Sequence, residues 1–143
     1  LIDWGCGLLK DPAMTEKIAE IDSGLADNII HTAFRHGSLL NECENGVDDT
    51  HRIWWVQAEA LLGFVNAFEK HPDRTDYRDA AAALWRYITE KIEDRREGGE
   101  WFWRLDENGE PDRNKPIVEP WKCPYHNGRM CIELIRRDPD VFV

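Results

Sequence analysis

One long apolar segment constrains this chain more than any other feature. From Arg52 to about Lys70 the sequence is almost continuously apolar, and His71-Pro72 bounds it. A helix with apolar residues on most of its sides has to be surrounded by other parts of the protein. The segment therefore predicts a buried helix, which needs amphipathic helices as neighbours.

Two amphipathic segments flank this helix in the sequence. Asp11-Pro12 provides an N-cap residue followed by proline at the first helical position, and apolar residues recur at helical spacing until about His36-Gly37. After the apolar segment, Thr75 can cap a third helix, whose apolar stripe continues from Tyr77 to Ile92. The chain is thus predicted to be all-α and built from helical pairs.

The remaining segments are polar or rich in proline. Residues 38–51, which include Asn45-Gly46, are predicted to be a loop. The segment from Glu100 to Leu105 alternates around two tryptophans and precedes an Asp-Glu-Asn-Gly turn, which predicts one short β-hairpin inserted between helices. A last helix is predicted from near Tyr125 to Asp138-Pro139.

The composition of the chain argues against a nucleic acid or a membrane as its binding partner. The 143 residues are 42% hydrophobic, which suits one domain with a core, and they carry a formal net charge of −10. Because phosphate binding needs clustered Lys and Arg, this charge argues against a nucleic-acid partner. No segment reaches the ~20 consecutive apolar residues of a membrane span. A soluble protein that binds a small neutral or cationic molecule fits this composition better.

The termini and the cysteines bear on location. The first residues, Leu1-Ile2-Asp3-Trp4-Gly5, lack an initiating Met and a signal peptide, which suggests that coding sequence upstream is missing. The four cysteines at positions 6, 43, 123 and 131 are widely spaced, and reduced thiols in the cytoplasm are the expected state. Cys123, His126 and Cys131 are plausible zinc ligands, but no second ligand pair accompanies them, so we predict no metal site.

Two short blocks carry most of the chemical information. They are Trp54-Trp55-Val56-Gln57-Ala58-Glu59 and Trp121-Lys122-Cys123-Pro124-Tyr125-His126-Asn127-Gly128-Arg129-Met130-Cys131. Each combines flat aromatic rings, which can lie against the C–H face of a sugar, with a carboxylate or an imidazole that can bond hydroxyls or move protons. Both blocks therefore indicate sugar chemistry.

The two blocks occur in a recognisable order, with Gly99-Glu100-Trp101-Phe102-Trp103 and Asp106-Glu107-Asn108-Gly109 between them. In this arrangement they resemble the C-terminal part of the N-acylglucosamine 2-epimerase superfamily, and most closely its cellobiose 2-epimerase branch. The resemblance runs to about Arg137 and implies that residues 1–143 are a C-terminal fragment of a single (α/α)6-barrel domain. A partial barrel leaves apolar helix faces exposed, so we expect it to associate with the missing N-terminal part or with a copy of itself.

The resemblance also implies a mechanism and site residues. In similar proteins, one histidine removes the C2 proton of a reducing-end glucose or mannose unit to give a cis-enediolate, and a second histidine delivers a proton to the opposite face. His126 matches the C-terminal histidine of this pair. The other belongs to a Gly-His-x-x-Glu segment that normally precedes the first residue here, so we predict that the isolated chain is inactive. This proton transfer needs no metal and no redox cofactor.

Further site residues follow from the same resemblance. Trp54 and Trp55 match positions that line the sugar pocket, Glu59 one that bonds hydroxyls or supports the catalytic histidine, and Trp121 the indole beside that histidine. From the residues alone, Trp54 is equally well explained as a core residue. Arg129 can orient the loop or pair with an acid such as Glu133, and His51 is a weaker candidate for substrate contact.

Four alternatives remain open at this point. N-acyl-D-glucosamine 2-epimerisation and mannose isomerisation are the neighbouring activities within the superfamily. A non-catalytic carbohydrate-binding module would keep the tryptophans without needing His126. A degraded fragment with no independent role would show itself by poor folding or aggregation.

Overall fold

Helix α3, Trp54–Lys70, lies at the centre of the fold, as the apolar segment predicts. The computed structural model describes residues 2–137. Helices α4 (Thr75–Tyr87), α5 (Tyr125–Arg136) and α2 (Pro12–Thr32) pack around α3, and α1 (Ile2–Leu9) packs on α2. Between α3 and α4 the core contains fully buried leucines and alanines, and α2, α3, α4 and α5 turn apolar faces inward.

The predicted start of α2 is confirmed, but its predicted end is wrong. The Asp11 carboxylate accepts hydrogen bonds from the backbone N–H groups of Ala13 and Met14 at 3.0 and 3.2 Å, with proline at the first helical position. The helix ends at Thr32 rather than at His36-Gly37. His36 and Gly37 instead have φ values of 53° and 79° and form the turn of a short hairpin.

The structure contains more β pairing than the sequence predicts. Residues 2–137 include three two-stranded antiparallel sheets, so the all-α prediction with a single hairpin insertion is wrong in this detail. Their strands are β1 (Phe34–Arg35), β2 (Ser38–Leu39), β3 (Glu42–Glu44), β4 (Val47–Asp49), β5 (Arg52–Ile53) and β6 (Arg104–Leu105), paired β1–β2, β3–β4 and β5–β6. The predicted loop over residues 38–51 therefore holds strands, and Asn45-Gly46 is the turn between β3 and β4.

The predicted hairpin after Glu100 to Leu105 is present in a short form, and a long-range pairing adds to it. Leu105 forms an antiparallel bridge with Pro111 across the Asp-Glu-Asn-Gly turn, and Asp112 donates its backbone N–H to Arg104 O at 3.0 Å. Only Arg104–Leu105 is a strand there, and it pairs with Arg52–Ile53 directly before α3. Leu105 is fully buried against the core, so this strand also lies beside the start of α3. The pairing fixes the N-terminal end of α3, where Trp54 also donates its backbone N–H to Trp103 O at 3.3 Å.

The ends of the last two helices differ slightly from prediction. Thr75 is the first residue of α4 rather than its cap, and Arg74 at the cap position makes no side-chain capping bond. Beyond Tyr87 the chain continues as a π-helical turn, Ile88–Ile92, whose two isoleucines are buried. Helix α5 ends at Arg136, and the predicted stop at Asp138-Pro139 lies outside the described residues. Within residues 2–137 we find no helix of the length and apolarity that crossing a membrane requires.

Candidate active site

His126 and Glu59 form the centre of the candidate site. His126 lies in the first turn of α5, and Glu59 lies one turn into α3, the helix against which α5 packs. The imidazole Nδ1 is 2.7 Å from Glu59 Oε1, and both side chains are about one-third exposed. The structure thus brings together the two predicted catalytic residues at the surface of the helix pair.

Arg129 completes an ion cluster with these two residues. It follows His126 by three positions on α5, so both side chains lie on the same helix face. Its Nη2 contacts both carboxylate oxygens of Glu59, which makes Glu59, rather than the suggested Glu133, its hydrogen-bonded partner. The contact with Glu59 raises the pKa of the Arg129 guanidinium, and the guanidinium Nε is buried without a hydrogen-bond partner within the described structure.

The charge state of Glu59 follows from these contacts. Burial alone raises the pKa of this carboxyl, but the hydrogen bonds and charges of Arg129 and His126 outweigh burial and hold the pKa below its usual value. Glu59 is therefore a carboxylate at neutral pH and can only accept hydrogen bonds. Because it accepts from Nδ1 of His126, this nitrogen carries the proton in the neutral imidazole, and Nε2 is left to accept one.

Among the described residues, three aromatic rings surround the imidazole. The ring centroids of Tyr125, Trp54 and Trp55 lie 4.9, 5.5 and 5.6 Å from that of His126. Trp54 is only 1% exposed and belongs to the core, which favours its structural role over sugar contact. Trp55 is 42% exposed and can offer its ring to a ligand.

Trp121 and His51 have surroundings that differ from those of the three rings around His126. Trp121 is 88% exposed, and among the ring contacts of His126 within residues 2–137 none involves it. His51 bonds Asp49 through Nδ1 at 2.6 Å and lines a different cleft of about 250 Å³ together with Arg104 and Asp106. In the described part of the chain, neither residue makes a ring contact or a side-chain hydrogen bond with His126.

A groove of about 660 Å³ begins beside the cluster and runs along α3. Trp55, Glu59, Tyr125 and Arg129 line one end, and Asp3 and Lys70, which bond each other, line the other end. Between these ends the walls are largely apolar and come from α2 and α3. Their residues include Leu25, Ala26, Ile29, Ala60, Gly63 and Ala67.

The cysteines take no part in this site. Cys6 is buried, and Cys43, Cys123 and Cys131 are exposed, all as free thiols. Across the described part of the chain, no three His, Cys, Asp or Glu side chains gather into a group that could hold a metal ion. His126 instead directs its Nδ1 to Glu59, which is the arrangement of a proton-transfer group held by a carboxylate.

Sequence reasoning missed part of this site. The pairing of Arg129 with Glu59 was detectable only as the three-residue spacing between His126 and Arg129, since Glu59 is 70 residues away. A second group, in which Lys122 contacts Glu100 beneath Trp54, had no sequence signal. A lysine between exposed loop residues is ordinarily solvent-exposed, and only the tertiary structure shows that this one is buried.

Comparison with known proteins places this geometry in a family. Residues 24–127 match the model of the N-acylglucosamine 2-epimerase (GlcNAc 2-epimerase) family, and the chain belongs to this family. It is 47% identical over 136 residues to the cellobiose 2-epimerase of Eubacterium cellulosolvens, which covers 95% of this chain and 33% of that protein. The predicted superfamily is thereby confirmed.

Solved structures agree with this assignment. A sugar epimerase from a ruminal bacterium superposes with a TM-score of 0.92 at 42% identity, covering 96% of this chain and 35% of that one. The cellobiose 2-epimerase of Bacillus thermoamylovorans B4167 gives a TM-score of 0.76 at 40% identity, covering 89% of this chain and 31% of that one. The chain spans about a third of the length of these relatives.

Proposed function

We propose that this chain is the C-terminal part of an (α/α)6-barrel sugar 2-epimerase, which interconverts glucose and mannose at the reducing end of a cellobiose-type disaccharide. One observation carries the proposal: the carboxylate of Glu59 holds His126 by Nδ1 and leaves Nε2 available for a proton. The similarity to cellobiose 2-epimerases over nearly the whole chain supports this choice of substrate class.

His126 acts as a general base or acid at C2 of the open-chain sugar. As the C2–H bond breaks, the proton passes to Nε2 and the electron pair moves toward C1, whose carbonyl oxygen gains charge to form the cis-enediolate. Glu59 stabilises the resulting imidazolium, because the positive ring remains bonded to a carboxylate. Return of a proton to the opposite face of C2 inverts the configuration and converts glucose to mannose.

A second proton-transfer group is required for this inversion. One imidazole approaches C2 from one face, and epimerisation delivers the proton to the other. Since the chain spans about a third of its relatives, we assign the second group to a part of the barrel outside residues 1–143. The isolated chain is accordingly expected to be inactive as an epimerase, because proton transfer by a positioned side chain typically contributes about 10²–10⁴-fold in rate.

The groove along α3 supports this view of an incomplete barrel. Its walls expose apolar residues of α2, including Leu25, which is 51% exposed. Apolar surface of this kind favours association. We propose that the remainder of the barrel covers this groove and reaches the end lined by Glu59 and Tyr125; a second copy of this chain is the alternative occupant.

Hydrogen exchange at C2 tests the proposal directly. Cellobiose is incubated in heavy water with the 143-residue chain and with a version extended at its N-terminus to the length of the relatives, and C2 deuteration is followed by NMR. Deuteration and epimer formation by the extended protein, lost in its His126→Asn variant, would support the proposal. His31→Asn, on the exposed part of α2, is the matched control and should remain active.

The same assay with other sugars, together with a measurement of sugar binding, distinguishes the alternative functions. Deuteration of N-acetylglucosamine or conversion of free mannose without turnover of cellobiose would reassign the substrate within the family. Sugar binding that survives His126→Asn, with no exchange by any version, would overturn the epimerase proposal in favour of a carbohydrate-binding module.

A further inference from the structure

Lys122 is a buried lysine that the proposed chemistry does not use. It is 1% exposed, although it follows the highly exposed Trp121. Its Nζ contacts the carboxylate of Glu100 and donates to the carbonyl oxygen of Ile117 at 2.7 Å. Removing an ammonium group from water is costly unless the group is paired and hydrogen-bonded, and both conditions are met here.

Two sets of contacts connect Lys122 with His126. Glu100 also accepts a hydrogen bond from the side-chain amide of Asn127, the residue after His126 in the first turn of α5. In addition, Nζ lies 5.3 Å from the centre of the Trp54 ring, which meets the imidazole edge-on at a centroid distance of 5.5 Å. The buried ammonium group of Lys122 thus contacts the Trp54 ring that packs against the imidazole. Through Glu100 it is also linked to the first turn of α5, which carries His126.

We propose that Lys122, together with Glu100 and Asn127, positions His126 for proton transfer; this inference rests on the proposed epimerase function. The hydrogen bond from His126 Nδ1 to Glu59 fixes the rotation and the tautomer of the imidazole. Lys122, Glu100 and Asn127 together fix the position of the first turn of α5 and of the Trp54 ring. They thereby determine where Nε2 of His126 lies relative to C2 of the sugar. Lys122 is a positioning residue and does not touch the sugar.

A purely structural role would not require this arrangement. Apolar residues of similar size often replace a buried ion pair without loss of stability, so stability alone gives no reason for a charge at this position. Placement of a proton-transfer group does give one, because a misplacement of about 1 Å can lower a rate about 10²-fold. The two explanations make different predictions for a variant from which both charges are removed.

The kinetic test uses the N-terminally extended protein with cellobiose. Lys122→Met leaves Glu100 without its cation and is expected to lower both the melting temperature and kcat. In Lys122→Met/Glu100→Gln no unpaired charge remains, and we expect the melting temperature to recover while kcat stays about 10- to 100-fold low. KM should change little in either variant. Lys91→Met, at an exposed lysine, is the matched control.

A second readout is independent of turnover. In the 143-residue chain, NMR should show that the double variant changes the ring resonances of His126 and weakens the Trp54–His126 cross-peak, whereas Lys91→Met does not. Recovery of kcat together with stability, or unchanged His126 resonances in a folded double variant, would overturn the positioning role. If the extended wild-type protein shows no exchange, the proposed function fails, and the NMR comparison still decides whether Lys122 positions the imidazole.

Discussion

Glu59 and His126 are 67 residues apart in the sequence, yet Glu59 Oε1 lies 2.7 Å from His126 Nδ1. Helix α3 carries the carboxylate and α5 the imidazole, and the packing of these two helices makes the contact.

Glu59→Gln should reduce turnover while leaving the fold intact. The amide keeps the size of the side chain but cannot stabilise an imidazolium by charge, so we expect kcat in the extended protein to fall about tenfold or more. Glu69→Gln on the same helix, which loses an exposed pair with Arg137, should have little effect. Steady-state kinetics and melting temperatures distinguish the two variants. Equal losses of activity would contradict the role of the Glu59 carboxylate in stabilising the imidazolium.

Arg129→Met should raise the pKa of Glu59. In the native protein, burial acts to raise this pKa, and the hydrogen bonds and charges of Arg129 and His126 reverse the effect. Without the guanidinium, burial has less opposition and the carboxyl should titrate at higher pH. Carboxyl ¹³C NMR as a function of pH measures the shift. Arg136→Met, at an exposed arginine of α5, is the control, and an unchanged Glu59 titration in Arg129→Met would contradict the expectation.

Asp49 should contribute a pH-dependent part of the stability. Hydrogen bonds from the backbone and imidazole of His51 outweigh burial and lower the pKa of Asp49 from 3.8 to about 2. Because the folded-state pKa is the lower one, the stabilisation is present above pH 3.8 and is lost as pH falls toward 2. Asp49→Asn should therefore be less stable than wild type at pH 6, with a gap that narrows below about pH 4.

Unfolding by urea at several pH values measures this gap. The exposed Asp73, replaced by Asn, provides the comparison for a generic change of charge. A difference between Asp49→Asn and wild type that stays constant from pH 6 to pH 3 would show that the carboxylate contributes no proton-linked stability.

Gly99 should not tolerate a side chain. A Cβ at this position would lie 2.1 Å from Asp94 O and 2.8 Å from Arg96 O, both of them backbone atoms. Gly99→Ala is therefore expected to cost about 1–3 kcal/mol in the free energy of unfolding. Gly24→Ala has open space in the middle of α2 and should instead stabilise the protein by about 0.5–1 kcal/mol. Denaturant unfolding would show opposite signs for the two substitutions.

The helices were predictable because their signals are local. The Asp11-Pro12 cap, the apolar run of α3 and the stripe of α4 depend on residues three or four positions apart. The hairpin at Asn45-Gly46 also had a local signal, since this dipeptide favours a two-residue turn, but the polar residues around it suggested a loop. The β1–β2 turn at His36-Gly37 was missed because the helical spacing of α2 was extended to these residues, which made the glycine look like the end of the helix.

The amino-acid sequence by itself determined the helical framework, the family, and the candidacy of Glu59 and His126. Only the tertiary structure decided that β6 pairs with β5, that Arg129 binds Glu59, and that Lys122 is buried beneath Trp54. The physical reason is range. Helical periodicity acts over one or two turns of chain, whereas these contacts join residues far apart in sequence, whose meeting depends on how the whole set of helices packs.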